Sequence, residues 1–114
     1  MDITAQHVQD RLNSFDRSQY DATALAMLDS YQEAFLDVQL AEAAADLPII
    51  KKLVAKYTTA IKSLESSLLT KRKMPELERE NILDKIELYR DFTRTFDATD
   101  AYAQILKGLD DNLE

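Results

Sequence analysis

The chain contains no cysteine and no tryptophan, and only one glycine, two prolines and one histidine among its 114 residues. Without cysteine there is no disulfide framework, thiol nucleophile or cysteine-ligated zinc site. A single glycine excludes the glycine-rich loops of P-loop and dinucleotide-binding folds. The single histidine, His7, cannot form a histidine-pair metal site, and no serine or threonine lies in a glycine-flanked nucleophile elbow. We therefore predict a protein that is not an enzyme and holds no metal or cofactor, with His7 in a structural or incidental role.

Charge is present in three blocks of alternating sign. The whole chain has a formal charge of −7, made up of −7 over residues 1–47, +6 over residues 48–73 and −6 over residues 74–114. A net negative charge opposes attraction to nucleic acid or to an anionic membrane surface. No stretch approaches the roughly 18 consecutive apolar residues that a membrane span needs, and the N-terminus lacks the pattern of a signal peptide. These features predict a cytoplasmic protein that does not bind membranes.

Apolar residues, 46% of the chain, recur with a period near 3.6 through most of its length. That period predicts an all-α fold, a single domain over residues 1–114 built as a bundle of three to five helices. A short helix is expected within residues 1–17. Two long central helices, joined where Pro48 interrupts the chain, are expected to form an antiparallel helical hairpin over residues 21–73.

The remainder of the chain predicts shorter helices over residues 75–107. Pro75 marks the start of this region, and Asp97 has the spacing of a helix cap from which a last helix restarts. Gly108 is expected to end that helix, since glycine is common just past a helix C-terminus. Residues 109–114 are then expected to form an acidic tail.

The two long helices each carry a coiled-coil-like apolar seam. Within the hairpin we expect six of these residues to be buried: Met27, Tyr31, Val38, Leu53, Tyr57 and Ile61. Four further apolar residues of the first long helix lie outside its seam and exceed what one antiparallel neighbour can cover: Leu28, Phe35, Leu36 and Leu40. We expect some of these four to contact the fourth helix or another protomer, and together they form the predicted interaction surface.

Basic residues of the second long helix and the segment that follows it form a predicted basic face: Lys52, Lys56, Lys62, Lys71, Arg72 and Lys73. Two interpretations stay open. The favoured one pairs this face with acidic helices, within the chain or between protomers, because opposite charges on neighbouring helices attract. In the other, the lysines and the small hydroxyl residues between them contact nucleic-acid phosphates.

Four carboxylates of the following helix repeat at i, i+4, i+7 and i+11 and define a predicted acidic face: Glu80, Asp84, Glu87 and Asp91. They fall opposite the apolar side of that helix, so we expect them to face solvent. Pairs three residues apart, such as Asp84 and Glu87, have a spacing that all-α nucleotide pyrophosphohydrolases use to hold magnesium. The glutamate pairs of such enzymes are absent, which favours the solvated interpretation.

These patterns favour a non-enzymatic helical interaction or assembly protein that self-associates or docks on a protein partner, with a homo-oligomer expected. The long alanine-rich helix, the aspartate–proline corner and the serine- and threonine-lined second helix over residues 21–73 resemble the central oligomerisation hairpin of phage small terminase subunits. This resemblance implies a ring-forming adaptor for DNA packaging, although residues 1–17 are too few for the helix-turn-helix that many such subunits carry. A second alternative is an acidic inhibitor that mimics nucleic acid.

Overall fold

The computed structural model describes residues 3–44, 47–70, 73–93 and 97–113, and in these ranges the chain is all-helical, without a strand. The described residues form five α-helices in chain order, with a short 3₁₀ turn at Arg17–Gln19 after the first: α1 Ala5–Asn13, α2 Ala22–Ala44, α3 Leu47–Thr70, α4 Glu76–Thr93 and α5 Ala98–Leu113. The predicted all-α bundle with two long central helices is confirmed. None of the described helices is long and apolar enough to cross a membrane.

The helix starts follow local signals in the sequence. The Asp21 carboxylate accepts a hydrogen bond from the Ala24 amide at 2.9 Å, and the Asp97 carboxylate accepts one from the Asp100 amide at 3.1 Å. Each side chain satisfies an amide of the first helical turn that has no partner inside the helix. Pro48 occupies the first turn of α3, and Pro75 directly precedes α4. The predicted restart at Asp97 and the breaks at both prolines are confirmed.

His7 belongs to the start of α1. Its Nδ1 atom accepts a hydrogen bond from the Thr4 amide at 2.9 Å, so the imidazole takes the part that a glutamate or glutamine usually plays in a capping box. Val8 and Leu12 on the same helix are buried and fasten α1 to the bundle. The geometry gives His7 a structural role.

The central hairpin packs differently from the expectation of two long helices facing each other. Helix α2 packs mainly on α5, whereas α3 packs mainly on α4, and α4 also packs on α5. The ring centroids of Phe35 on α2 and Tyr102 on α5 lie 6.0 Å apart, and those of Tyr57 on α3 and Tyr89 on α4 lie 4.6 Å apart. All six residues that were expected to be buried in the hairpin are buried, but most of their cover comes from α4 and α5.

The predicted acidic tail over residues 109–114 is wrong for residues 109–113, which form the end of α5. Leu109 and Leu113 are buried there, and the Tyr20 hydroxyl donates to the Leu113 carbonyl at 3.1 Å. Glu114 lies outside the described residues. Two buried leucines outweigh the low helix propensity of one glycine, so the helix continues through Gly108.

Gly108 is needed for a close helix contact. A Cβ atom at this position would lie 2.5 to 2.6 Å from three atoms of the Tyr31 ring and hydroxyl on α2. No real Cβ contact is so short, so any larger residue would have to push α2 and α5 apart or displace Tyr31. The single glycine of the chain thus serves packing in the middle of a helix and does not end it.

Candidate functional site

The predicted interaction surface on α2 is divided between the core and the solvent. Leu28 and Phe35 are 2% and 1% exposed, so the chain itself covers them and neither is available to a partner. Leu36 and Leu40 are 55% and 51% exposed and lie one turn apart on a different side of the helix. Because α5 covers more of α2 than a single hairpin neighbour would, only the last two form an apolar pair open to solvent.

The predicted basic face is also divided. The Lys56 ammonium lies 2.8 Å from a carboxylate oxygen of Glu33 and 2.6 Å from one of Asp37, both on α2. Burial alone would lower the pKa of Lys56, but the hydrogen bonds to these two carboxylates raise it overall. The Tyr57 hydroxyl donates to Asp37 as well. Lys56 therefore links α2 to α3 within the chain.

The rest of the basic face remains at the surface where it is described. Lys52, Lys62 and Lys73 are exposed, whereas Lys71 and Arg72 lie outside the described residues. Two hydroxyls on α3 are engaged with their own helix: Thr59 donates to the Ala55 carbonyl and Thr70 to the Ser66 carbonyl. A hydroxyl that donates to its own backbone is a weaker phosphate donor, which reduces the support for nucleic-acid binding along this face.

The predicted acidic face is not uniformly solvated. Glu80 and Glu87 are exposed, and the side chain of Asp91 lies outside the described residues. Asp84, however, is buried, so the expectation that it faces solvent is wrong. Helix α4 is covered by α3 on one side and by α5 on another, and Asp84 lies toward α5. A periodicity argument that assumes a single covered side cannot detect this.

Asp84 belongs to a buried polar network between α2, α4 and α5. Its carboxylate accepts a hydrogen bond from the Asn112 amide at 3.0 Å. The Tyr31 hydroxyl donates to Asn81 Oδ1 at 3.0 Å and also lies 3.5 Å from the Asn112 amide nitrogen. Burial, followed by the negative charge of Asp84, raises the pKa of Tyr31 above its usual range. This network holds the Tyr31 ring in place against Gly108.

Three carboxylates come together beside this network, with ligand oxygens of Glu80, Asp84 and Asp111 all within 4.8 Å of one another. Oxygen clusters of this kind suit hard cations such as magnesium. Here the Lys107 ammonium lies 3.0 Å from Asp84 and 3.1 Å from Asp111. These two contacts raise the pKa of Lys107, so the ammonium supplies the positive charge that a bound cation would otherwise bring. Two of the three carboxylates, Asp84 and Asp111, are therefore satisfied by ion pairs within the chain.

A groove of about 840 Å³ opens between α2, α3 and α4. Its walls come from the first turns of α2 and the last turns of α3, far from the joint of the two helices, and α4 forms its floor. Mostly apolar residues line it, together with short polar residues and two charged ones: Ala22, Thr23, Ala26, Met27, Leu64, Ser67, Pro75, Leu77, Glu78, Asn81, Ile82 and Lys85. Its volume lies within the range of about 300 to 1,000 Å³ that is typical of small-molecule sites.

Lys85 is the cationic residue of this groove. It is half-buried, and its ammonium lies 5.8 Å from the centroid of the Tyr31 ring. Burial lowers its pKa, since removal from water disfavours the charged form. Within the described part of the chain, the face of the Tyr31 ring is the partner that the structure gives to this ammonium.

Sequence reasoning missed both the groove and the network. The continuation of helical spacing through Leu109, Asn112 and Leu113 was a signal that α5 extends beyond Gly108. The groove left no such signal, because it depends on how far two helices diverge.

A comparison with protein-family models, with curated proteins and with solved structures finds no significant match for this chain. The function therefore has to be inferred from the residues and their geometry.

Proposed function

We propose that this protein acts without catalysis, as a helical docking protein whose copies associate through the outer face of α2. The observation that carries the proposal is the pair of leucines, Leu36 and Leu40, left more than half exposed on a helix whose other side is fully covered. An apolar pair one turn apart is a suitable anchor for a second helix. Two leucines bury little area, so the contact must extend along α2 and belongs to the weaker class of interfaces.

A second copy of the chain is the partner we propose, because the surface carries complementary charges. Lys52 and Lys62 on α3 are exposed, and the structure gives neither an ion pair within the described ranges. Glu80 and Glu87 on α4 are exposed acidic groups that a neighbouring copy can pair with these lysines. Rim charges of this kind add little affinity but select the orientation of association. A cytoplasmic location is part of this proposal, in agreement with the absence of cysteine.

Sedimentation velocity over a wide range of protein concentration tests the anchor. We expect the wild-type chain to associate and the double variant Leu36→Gln/Leu40→Gln to remain monomeric. Leu77→Gln is the matched control, because Leu77 is 49% exposed on α4 and lines the groove, to which neither Leu36 nor Leu40 contributes. A wild-type chain that stays monomeric at every concentration contradicts the proposal.

Charge reversal separates this proposal from the DNA-packaging alternative. The double variant Lys52→Glu/Lys62→Glu should weaken association without lowering the melting temperature, because both lysines are exposed. Lys56 is unsuitable for this test, since its contacts with Glu33 and Asp37 belong to the fold. If the reversal instead abolishes a salt-dependent affinity for DNA, the packaging-type adaptor replaces self-association as the preferred function.

A further inference from the structure

We propose that the groove between α2, α3 and α4 is a binding site for a small monoanion with an apolar body, such as a medium-chain carboxylate, with Lys85 as the residue that binds its anionic group. This site is separate from the docking surface, because neither Leu36 nor Leu40 lines the groove. Failure of the self-association test would therefore not contradict ligand binding in the groove, and the reverse also holds.

The groove exists because α2 and α3 are held by different neighbours. Near their joint the two helices are linked by the contacts of Asp37 with Lys56 and Tyr57. Further along, α2 lies against α5 and α3 lies against α4, so the two helices form opposite walls. Met27 and Leu64 contribute apolar surface to these walls, and Ile82 contributes to the floor. An apolar ligand body would remove that surface from water, which is favourable.

Lys85 gives the groove a preference for a negatively charged ligand. Its ammonium is partly removed from water and faces an aromatic ring, and no carboxylate contact is found for it among the described residues. A cation in such a place gains more from an anionic partner than a fully hydrated surface lysine does, since the low local dielectric strengthens the attraction.

The groove offers one positive charge to a ligand, since Lys85 is the cationic residue among the described residues that line it. A ligand with a single anionic group matches that charge. The ligand is therefore expected to place its anion at Lys85 and its apolar body between Met27, Leu64 and Ile82.

Titration of the isotope-labelled chain with octanoate, followed by amide chemical shifts, tests the site. We expect saturable shifts at residues 22–27, 64–67 and 77–85, and weaker binding of octan-1-ol, which has the same apolar body without the charge. Equal affinities for octanoate and octan-1-ol, or shifts scattered over the surface without saturation, would overturn the proposal.

Two pairs of variants assign the binding to the groove. Lys85→Met should raise the Kd for octanoate about tenfold or more and leave that for octan-1-ol unchanged, because only a charged contact is lost. Lys85→Arg should retain binding, and Lys51→Met, at an exposed lysine of α3, should behave as wild type. Ala26→Phe should fill the groove and abolish binding of both ligands, whereas Ala55→Phe, at an exposed alanine of α3, should have no effect. Unchanged octanoate affinity in Lys85→Met or in Ala26→Phe would overturn the assignment.

Discussion

Helix α2 packs against α5 and against α3 in opposite ways. At α5 the contact is closed: the Tyr31 ring lies against Gly108, and the Phe35 and Tyr102 rings pack at 6.0 Å. At α3, the next helix in the chain, the contact is confined to the joint end, and a groove of about 840 Å³ separates the other ends. Helices that are consecutive in the chain need not pack along their whole length, because a small residue on a third helix can provide a closer fit.

The difference follows from side-chain size and from where polar groups find partners. Gly108 has no side chain at the crossing point, so an aromatic ring can lie directly on the α5 backbone. The hydroxyl of that ring donates to Asn81 on α4, which joins three helices in one network. The α2–α3 contact is held by the ionic cluster of Asp37, Glu33 and Lys56, whose members are partly exposed. An exposed ion pair contributes only about 0 to 1 kcal/mol, which is too little to close a groove.

The largest expected loss of stability comes from removing a buried ring from the contact between α2 and α5. Phe35→Ala should lower the free energy of unfolding by about 3 to 5 kcal/mol, the usual cost of removing a buried aromatic ring. Its neighbour Leu36 lies on the exposed side, so Leu36→Ala should change stability by less than about 0.5 kcal/mol. Urea unfolding followed by circular dichroism measures both. Similar losses for the two variants would show that the two sides of α2 have been assigned incorrectly.

A smaller loss of stability is expected when a side chain is added at the α2–α5 contact. Gly108→Ala should lower the free energy of unfolding by about 1 to 3 kcal/mol through overpacking against Tyr31. In an uncrowded helix the same change would stabilise by about 1 kcal/mol, because alanine is the better helix former. Thermal or urea unfolding therefore shows, by whether the variant is less or more stable, whether the contact between Gly108 and Tyr31 is crowded. A more stable Gly108→Ala variant would mean that the α2–α5 contact is looser than the structure shows.

The smallest effect at neutral pH concerns the buried tyrosines, whose ionisation changes the stability of the fold only at alkaline pH. Burial is the main cause that raises the pKa of Tyr31, Tyr57 and Tyr102, and it raises the pKa of Tyr89 to about 12. Above pH of about 10 the unfolded chain loses phenolic protons that the folded chain keeps, so stability should fall as pH rises through this range. Ultraviolet absorbance of tyrosinate, recorded with circular dichroism, should show both changes together. Full ionisation near pH 10 with the helices intact would contradict the burial of these rings.

Much of the fold could be predicted from local signals. The breaks at Pro48 and Pro75 and the cap at Asp97 act within one helical turn, so their effect is visible in the sequence. Helical periodicity also identified the buried side of both long helices, Tyr31 and Tyr57 included. These signals report which residues prefer a helix and which side of it avoids water.

The errors share one cause. Leu28 and Phe35 were placed on the interaction surface and Asp84 on a solvated face, yet all three are buried, and the end of α5 was assigned to a tail. In each case the number and direction of the neighbouring helices decided the environment. Asp84 could be buried because Lys107 and Asn112 on α5 supply its partners, and both are distant from it in the chain.

The sequence by itself determined that this protein is helical, where most of its helices begin, and one buried side of each long helix, because capping, proline geometry and amphipathic spacing act over a few residues. Tertiary structure alone decided that α2 pairs with α5, that Leu36 and Leu40 stay exposed, and that Lys85 lies in an open groove. Those outcomes depend on side-chain volumes and polar partners that meet across distant segments, such as Gly108 with Tyr31. The periodicity of apolar residues within a single helix cannot predict such a contact between distant segments.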